Sequence, residues 1–336
     1  MNAMVLPSST APDARWDAER IAQRLSATPT LPLPGRGDTL ERWRQLAAFS
    51  AEDMALAKIL EAHFDAIAIL HDLGRVELAK PGSVWAVWAA GDPRLKLVAT
   101  RQAGDVVRLD GAKPWCSGFD VCTHALVTCD AAAAPDASAE DRTALVAVDL
   151  RAAGLAHDAS AWMGLGMSGI ATGVTHFDGA AGTRVASGAA YLARPGFWHG
   201  GAGIAACWWG AAERVADQLR RSLNPKRVHS AAQLGRVAAL VESTRDTLRA
   251  LAARIDAEPH DKHLAGVLAA RHLVKNAALE IVERVNDALG PSSLTSDRAF
   301  AQRCADLQVW VRQHHTGGDE AALGQMAHEA AEGWRL

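Results

Sequence analysis

The strongest constraint on what this chain can fold into is a change of texture that happens twice along it. From Asp38, which with Thr39 can cap a helix, apolar residues (Trp43, Leu46, Phe49, Leu56, Ile59, Leu60, Phe64, Ile67, Leu70) recur at three-to-four spacing. That is the period of helices with a buried face, and it predicts two of them, about 39–49 and 51–72, ending before Gly74. Between Val84 and Val185 the period is lost. Short β-type runs replace it at Val84–Trp88, Leu95–Thr100, Val106–Leu109, Val121–Thr128, Ala144–Asp149 and Gly173–Phe177, cut by Gly, Pro and Asp turns. After Tyr191 the helical period returns over 196–223, 228–256, 261–289 and 297–313, with a short tail helix near 319–332. Consecutive short strands with turns between them predict a small barrel or sandwich rather than alternating βαβ units. The expected fold class is therefore multidomain α+β: N-terminal helices, a central small β-barrel or sandwich, and a C-terminal four-helix bundle.

The expected divisions are a loosely ordered Pro-, Ser- and Ala-rich arm over 1–37, with one helical patch near Arg15–Leu25, then a helical domain over 38–83. A β-domain over 84–189 and a helical bundle over 190–336 complete the chain. Gly290-Pro291 is a stop signal between bundle helices. The first bundle helix is rich in small residues (Gly200, Gly201, Gly203, Ala206, Gly210), which lets a neighbouring backbone approach closely.

Charge and composition exclude several functions. The 336 residues carry 35 Lys plus Arg against 38 Asp plus Glu, a net charge of −3 with no basic stripe, so nucleic acid is not an expected partner. The longest apolar runs, such as Gly203–Trp209, are too short to span a bilayer, and Met1–Trp16 lacks a basic stretch followed by an apolar core, so neither a membrane span nor a signal peptide is expected. Five cysteines (Cys116, Cys122, Cys129, Cys207, Cys304) show no metal-type pairing and point to the cytoplasm.

Chemistry enters at Leu109-Asp110-Gly111-Ala112-Lys113-Pro114-Trp115-Cys116-Ser117-Gly118. A Gly turn followed by a Trp-x-Ser strand would place Trp115 and Ser117 on one face by alternation. An indole is a flat wall for a ring cofactor, and a hydroxyl two residues on can bond a ring heteroatom. The same residues also fit a hairpin with a buried Trp. The segment resembles the "N/D-G-x-K-x-W-I-T/S" strand of the acyl-CoA dehydrogenase family. The run Trp162-Met163-Gly164-Leu165-Gly166-Met167-Ser168-Gly169, followed by Val174-Thr175-His176-Phe177-Asp178, resembles the family's closing strands. Cys207-Trp208-Trp209-Gly210-Ala211-Ala212 is similar to the helix that begins its bundle. The resemblance covers roughly 38–330, in the family's block order.

The resemblance implies FAD between β-domain and bundle, its adenine end held partly by another subunit of a homodimer or homotetramer. Trp115 and Ser117 would face the flavin ring, and Trp88 stands where the family often has a flavin-contacting Thr. Lys226 or Arg227 falls near the Arg that meets the pyrophosphate, and Gln233 resembles the Gln that reaches the adenine. From the residues alone, these three also fit a solvated helix start. Asp287-Ala288-Leu289-Gly290-Pro291 replaces "Q-x-x-G-G", putting a carboxylate and a proline beside the pyrophosphate and leaving Gly290 as the kept glycine.

The family's base is the point of departure. Its Glu stands in a "Y-E-G-T" turn, and here Gln313-His314-His315-Thr316-Gly317-Gly318 puts His314 in that place, with Thr316 matching the Thr. Some members carry the base at the start of the first bundle helix, which here is His199-Gly200. Neither place holds a carboxylate. A His can serve as a base near neutral pH; His314 and His315 also fit a helix C-terminus whose dipole they complement. The loop "T-E-P-x-A-G-S-D" is shortened to Trp88-Ala89-Ala90-Gly91-Asp92-Pro93-Arg94. The resemblance thus implies an FAD-dependent oxidoreductase acting on a small molecule, with an acyl thioester and an electron-transfer partner in view. A flavin-dependent monooxygenase fed by a flavin reductase and a non-catalytic structural homologue are the alternatives.

Overall fold

The computed structural model describes residues 16–132, 142–160, 162–223, 228–313, 316–330 and 333. Three helices open the chain: α1 (Ala18–Ala27), α2 (Thr39–Glu52) and α3 (Met54–Asp72). Asp53 breaks the helical run between α2 and α3, and its carboxylate accepts the Leu56 N–H at 3.0 Å, capping α3. The same Oδ1 accepts the Trp16 indole N–H at 2.9 Å. With Ile21 fully buried and Arg24 paired with Glu52 at 2.6 Å, residues 16–27 are docked. The helical patch expected near Arg15–Leu25 corresponds to α1, held by one buried Ile and two long-range polar contacts.

The central strands are β1 (Trp85–Trp88), β2 (Leu97–Arg101), β3 (Val106–Lys113), β4 (His124–Ala131), β5 (Thr143–Asp149), β6 (Leu155–Asp158) and β7 (Val174–Ser187). β2 pairs β3, β3 pairs β7, β7 pairs β5, β5 pairs β4, and β4 returns to β2, so five strands close into a barrel, with β1 and β6 attached outside the ring. Closure decides between the barrel and the sandwich left open by the sequence. Two features were not legible. β6 has the sequence Leu-Ala-His-Asp and pairs with β7 alone, too short and polar for a strand signal. β7 runs fourteen residues, through glycines that read as turns. At Gly182 a Cβ would lie 2.5 Å from Val146, so that glycine fits a narrow barrel interior.

Ser187 caps α4 (Gly188–Ala193), and the bundle follows as α5 (Pro195–Ser222), α6 (Val228–Ala257), α7 (Leu264–Leu289) and α9 (Arg298–Trp310), with short α8 (Pro291–Ser296) and the tail helix α10 (Thr316–Glu329). Gly290 takes φ +76° and closes α7 by donating to Asn286 O at 2.8 Å; Pro291 then starts α8. The small-residue face of α5 meets α2. At Gly210 a Cβ would lie 2.1 Å from the Ala47 carbonyl oxygen. None of the helices in the described residues is long and apolar enough to cross a membrane.

α3 joins the two halves. His63 Nδ1 accepts the Trp85 N–H at 3.2 Å, tying α3 to β1, and burial pushes the imidazole pKa down to about 4. The unfolded chain, with an ordinary His near 6.5, binds more protons between those values. Stability therefore falls as pH drops from 6.5 toward 4, by on the order of 3 kcal/mol for this group. Urea unfolding across that range should show it, and His63→Asn, which keeps an acceptor for Trp85, should flatten that part of the profile. Gly210→Ala should cost about 1–3 kcal/mol by forcing α2 and α5 apart. Gly324→Ala, on α10 where nothing lies within 4 Å, should stabilise by about 0.5–1 kcal/mol in the same assay.

Candidate active site

The expected Trp-x-Ser strand is a corner. β3 ends at Lys113, and Trp115 takes φ +59°, a conformation bulky side chains rarely adopt. The next residues bond across to the segment before β7, Cys116 N to Gly173 O at 2.9 Å and Gly118 N to Ala171 O at 2.8 Å. Gly173 permits this crossing, because a Cβ there would strike the Asp158 carbonyl. Trp115 and Ser117 consequently do not share a strand face. The Trp115 indole turns outward, 52% exposed, with its ring edge-to-face with Trp162 at 6.5 Å. Ser117 turns inward, where its Oγ accepts the Thr172 hydroxyl at 2.9 Å.

Trp88 occupies the framework behind this corner. It is 2% exposed, and its indole N–H donates to the Ser117 carbonyl at 3.0 Å. The ring is enclosed in the core and holds Ser117 in place, at the position where the resemblance implies a flavin contact. Beside it His157 stacks on Phe119 at 4.6 Å, its Nδ1 2.9 Å from the Thr175 hydroxyl.

The other wall is the loop from Trp162 to Ile170, pinned onto α9. Met167, at φ +58°, donates its N–H to Asp306 Oδ1 at 2.5 Å, and Gln302 Nε2 bridges Asp306 and the Leu165 carbonyl at 2.7 and 2.9 Å. Gly166 lies so close to α9 that a Cβ would sit 2.5 Å from Ala305 O. Burial raises the Asp306 carboxyl pKa. Met163 and Leu165 are left 89% and 81% exposed, extending the apolar rim begun by Trp115.

A polar seam between α3 and α5 was not anticipated. Lys58 pairs with Glu61 at 3.6 Å and Arg194 with Asp72 at 2.8 Å, while buried Arg42 donates to the Pro32 carbonyl at 3.1 Å. α5 admits the α3 carboxylates through its glycines: a Cβ at Gly200 would lie 2.7 Å from Asp65 Oδ1, and one at Gly196 2.2 Å from Asp72 Oδ2. Burial raises the pKa of both Glu61 and Asp65. Thus the place His199-Gly200, which carries no carboxylate of its own, has one supplied by the neighbouring helix. The signal in the sequence is charge at positions 58, 61, 65 and 72, spaced to share one side of an otherwise apolar helix.

The remaining expected residues are dispersed. His199 is 1% exposed, its Nε2 2.8 Å from the Asp261 carbonyl and its ring 5.9 Å from His263, and burial lowers its pKa. Gln233 Oε1 accepts from Arg284 at 3.2 Å, which also bonds Glu280 at 2.6 Å. Gly290 lies at the α7–α8 turn and Thr316 opens α10. Lys226, Arg227, His314 and His315 lie outside the described residues. No cluster of three or more His, Cys, Asp or Glu among the described residues could hold a metal ion.

Asp306→Ala should leave the Met167 N–H buried without an acceptor and release the 162–170 loop. The expected cost is about 1–3 kcal/mol, with faster amide exchange at Met167 and earlier proteolytic cleavage in that loop as the readouts.

No family model matches the chain, and neither does any curated protein. Solved structures do. Butyryl-CoA dehydrogenase from Megasphaera elsdenii superposes with a TM-score of 0.79 at 13% identity, covering 93% of this chain and 90% of that one. Glutaryl-CoA dehydrogenase from Mycobacterium smegmatis gives 0.78 at 15%, covering 96% and 89%. TdsC from Paenibacillus sp. A11-2, in complex with FMN and indole, gives 0.73 at 14%, covering 84% and 82%. The helix–barrel–bundle order expected from the sequence is thus a known architecture, and this chain has the acyl-CoA dehydrogenase fold.

Proposed function

We propose that this chain is a flavin-dependent oxidoreductase acting on a small molecule, with FAD as the flavin. The observation that carries the reading is the Trp115 corner. Among the described tryptophans Trp115 alone is an exposed large hydrophobic, and it is held in a costly left-handed conformation that turns its ring outward. The indole, the Trp162 edge and the apolar rim of Met163 and Leu165 suit a flat aromatic ring system. Trp88 and Thr172 keep the adjoining Ser117 fixed. A bound flavin would supply hydride acceptance, chemistry that no side chain can perform.

The proton acceptor belongs to the protein. His314 with His315, standing where the resemblance has its Glu, is the acceptor in this proposal, and FAD contacts from Lys226, Arg227 and Gln233 are part of it. Asp65 adds a carboxylate against Gly200, the second place at which the resemblance has a base. Its raised pKa moves it toward the range useful for proton transfer near neutral pH. A monooxygenase is the second reading, supported by the likeness to TdsC, a dibenzothiophene monooxygenase solved with FMN and with indole.

The test is a visible spectrum of the purified chain titrated with FAD and FMN, then anaerobic mixing with a panel of acyl-CoAs. Stoichiometric yellow protein that bleaches with an acyl-CoA supports dehydrogenation. Asp65→Asn and the His314→Asn, His315→Asn double variant should each keep the flavin, and the variant lacking the working base should lose roughly 10²–10⁴-fold in bleaching rate. Bound flavin, no bleaching, and oxygen-dependent product formation with reduced flavin would move the assignment to the monooxygenase. No flavin binding at all sinks both.

A further inference from the structure

A cavity of about 470 Å³ opens on the barrel beside the β1–β2 connection. That volume lies in the range of about 300–1,000 Å³ usual for small-molecule sites. Its walls include Pro93, Leu95, Leu97 and Pro114. Pro114 directly precedes the Trp115 corner in the chain.

One charged side chain in it is out of the ordinary. Lys113, 6% exposed, also lines the cavity, and its Nζ donates to the Thr128 carbonyl at 2.7 Å and the Thr128 hydroxyl at 2.9 Å. An ammonium carries three N–H groups, and the third has no acceptor among the described residues. Nor does any described carboxylate come within 4 Å of it. Asp92, also in the wall, is engaged by Arg94 at 2.6 Å, and Asp130 stands exposed at the rim. Burying an ammonium without a counter-charge is costly, and cross-linking β3 to β4 through Thr128 would need only a neutral donor. Burial accordingly draws the Lys113 pKa down, an effect that an anion in the cavity would reverse. Lys96 adds a second cation to the lining.

We propose that this cavity binds a small organic acid, its carboxylate on the open N–H of Lys113 and its short apolar body against Leu95, Leu97 and Pro114. One desolvated cation at the edge of an apolar wall selects a monocarboxylate over a neutral isostere. The Trp115 ring is not part of this lining, so hexanoate binding is tested without flavin.

Calorimetric titration of the purified chain with hexanoate and with hexanamide tests it. The expected result is saturable binding of one hexanoate per chain, with hexanamide and the Lys113→Met variant each at least about tenfold weaker, the loss of one charge-assisted hydrogen bond. Asp130→Asn removes a competing negative charge at the exposed rim and should tighten hexanoate binding about two- to threefold. Absence of saturable hexanoate binding overturns the proposal, as does equal binding of hexanamide or undiminished binding by Lys113→Met. Should Lys113→Met fail to fold, Asp130→Asn decides: unchanged or weaker hexanoate binding overturns the proposal.

Discussion

Helix α5 carries glycines at the points where it comes closest to α2 and α3. A methyl group at Gly210 would lie 2.1 Å from a carbonyl oxygen of α2, and at Gly196 and Gly200 it would meet Asp72 and Asp65 of α3. This close approach fixes the N-terminal helices on the bundle. Because α3 is also tied to β1 through His63, the same contact sets where the barrel sits relative to the bundle. The packed interior has little room to yield, so a single added methyl there is felt as displacement of a whole helix. The candidate site inherits its geometry from that arrangement, with the barrel contributing the Trp115 corner and α9 contributing Asp306 to the opposite loop.

Strain and burial mark the same region. Trp115 and Met167 both hold positive φ without being glycine, and both lie at ends of segments whose backbone is locked by specific partners. Cys116 and Gly118 bond to Gly173 and Ala171, while Met167 bonds to Asp306. Two strained residues on facing loops, each held by hydrogen bonds beyond its own turn, leave an exposed indole and two exposed aliphatic side chains between them. An apolar rim of this kind is costly to leave in water unless something covers it.

Much of this was legible in the sequence, and the exceptions have physical causes. The helical periods around Trp43–Leu70 and through the bundle gave helices within a few residues of those observed, because burial of one face fixes the period. Gly290-Pro291 marked the α7 terminus correctly through its backbone preferences. What pattern alone could not supply was long-range pairing. β6 exists only because β7 is beside it. Trp115 leaves the strand because residues 116–118 find partners more than fifty positions away. The arm's helix is ordered by Ile21 and by Asp53. The α3 carboxylates were invisible for a related reason: whether Asp65 is solvated or buried depends on Gly200, which lies in another element. That Trp88 lies enclosed behind Ser117 likewise depends on partners distant in the chain.

The proposed flavin seat rests most directly on the outward face of Trp115, so the decisive quantity is the dissociation constant for FAD of the wild-type chain and of Trp115→Ala. Since the indole is half exposed, its removal should leave the unfolding midpoint nearly unchanged while weakening FAD at least about tenfold through lost ring contact. Equal FAD affinity in the two proteins would contradict the assignment of this corner as the flavin seat.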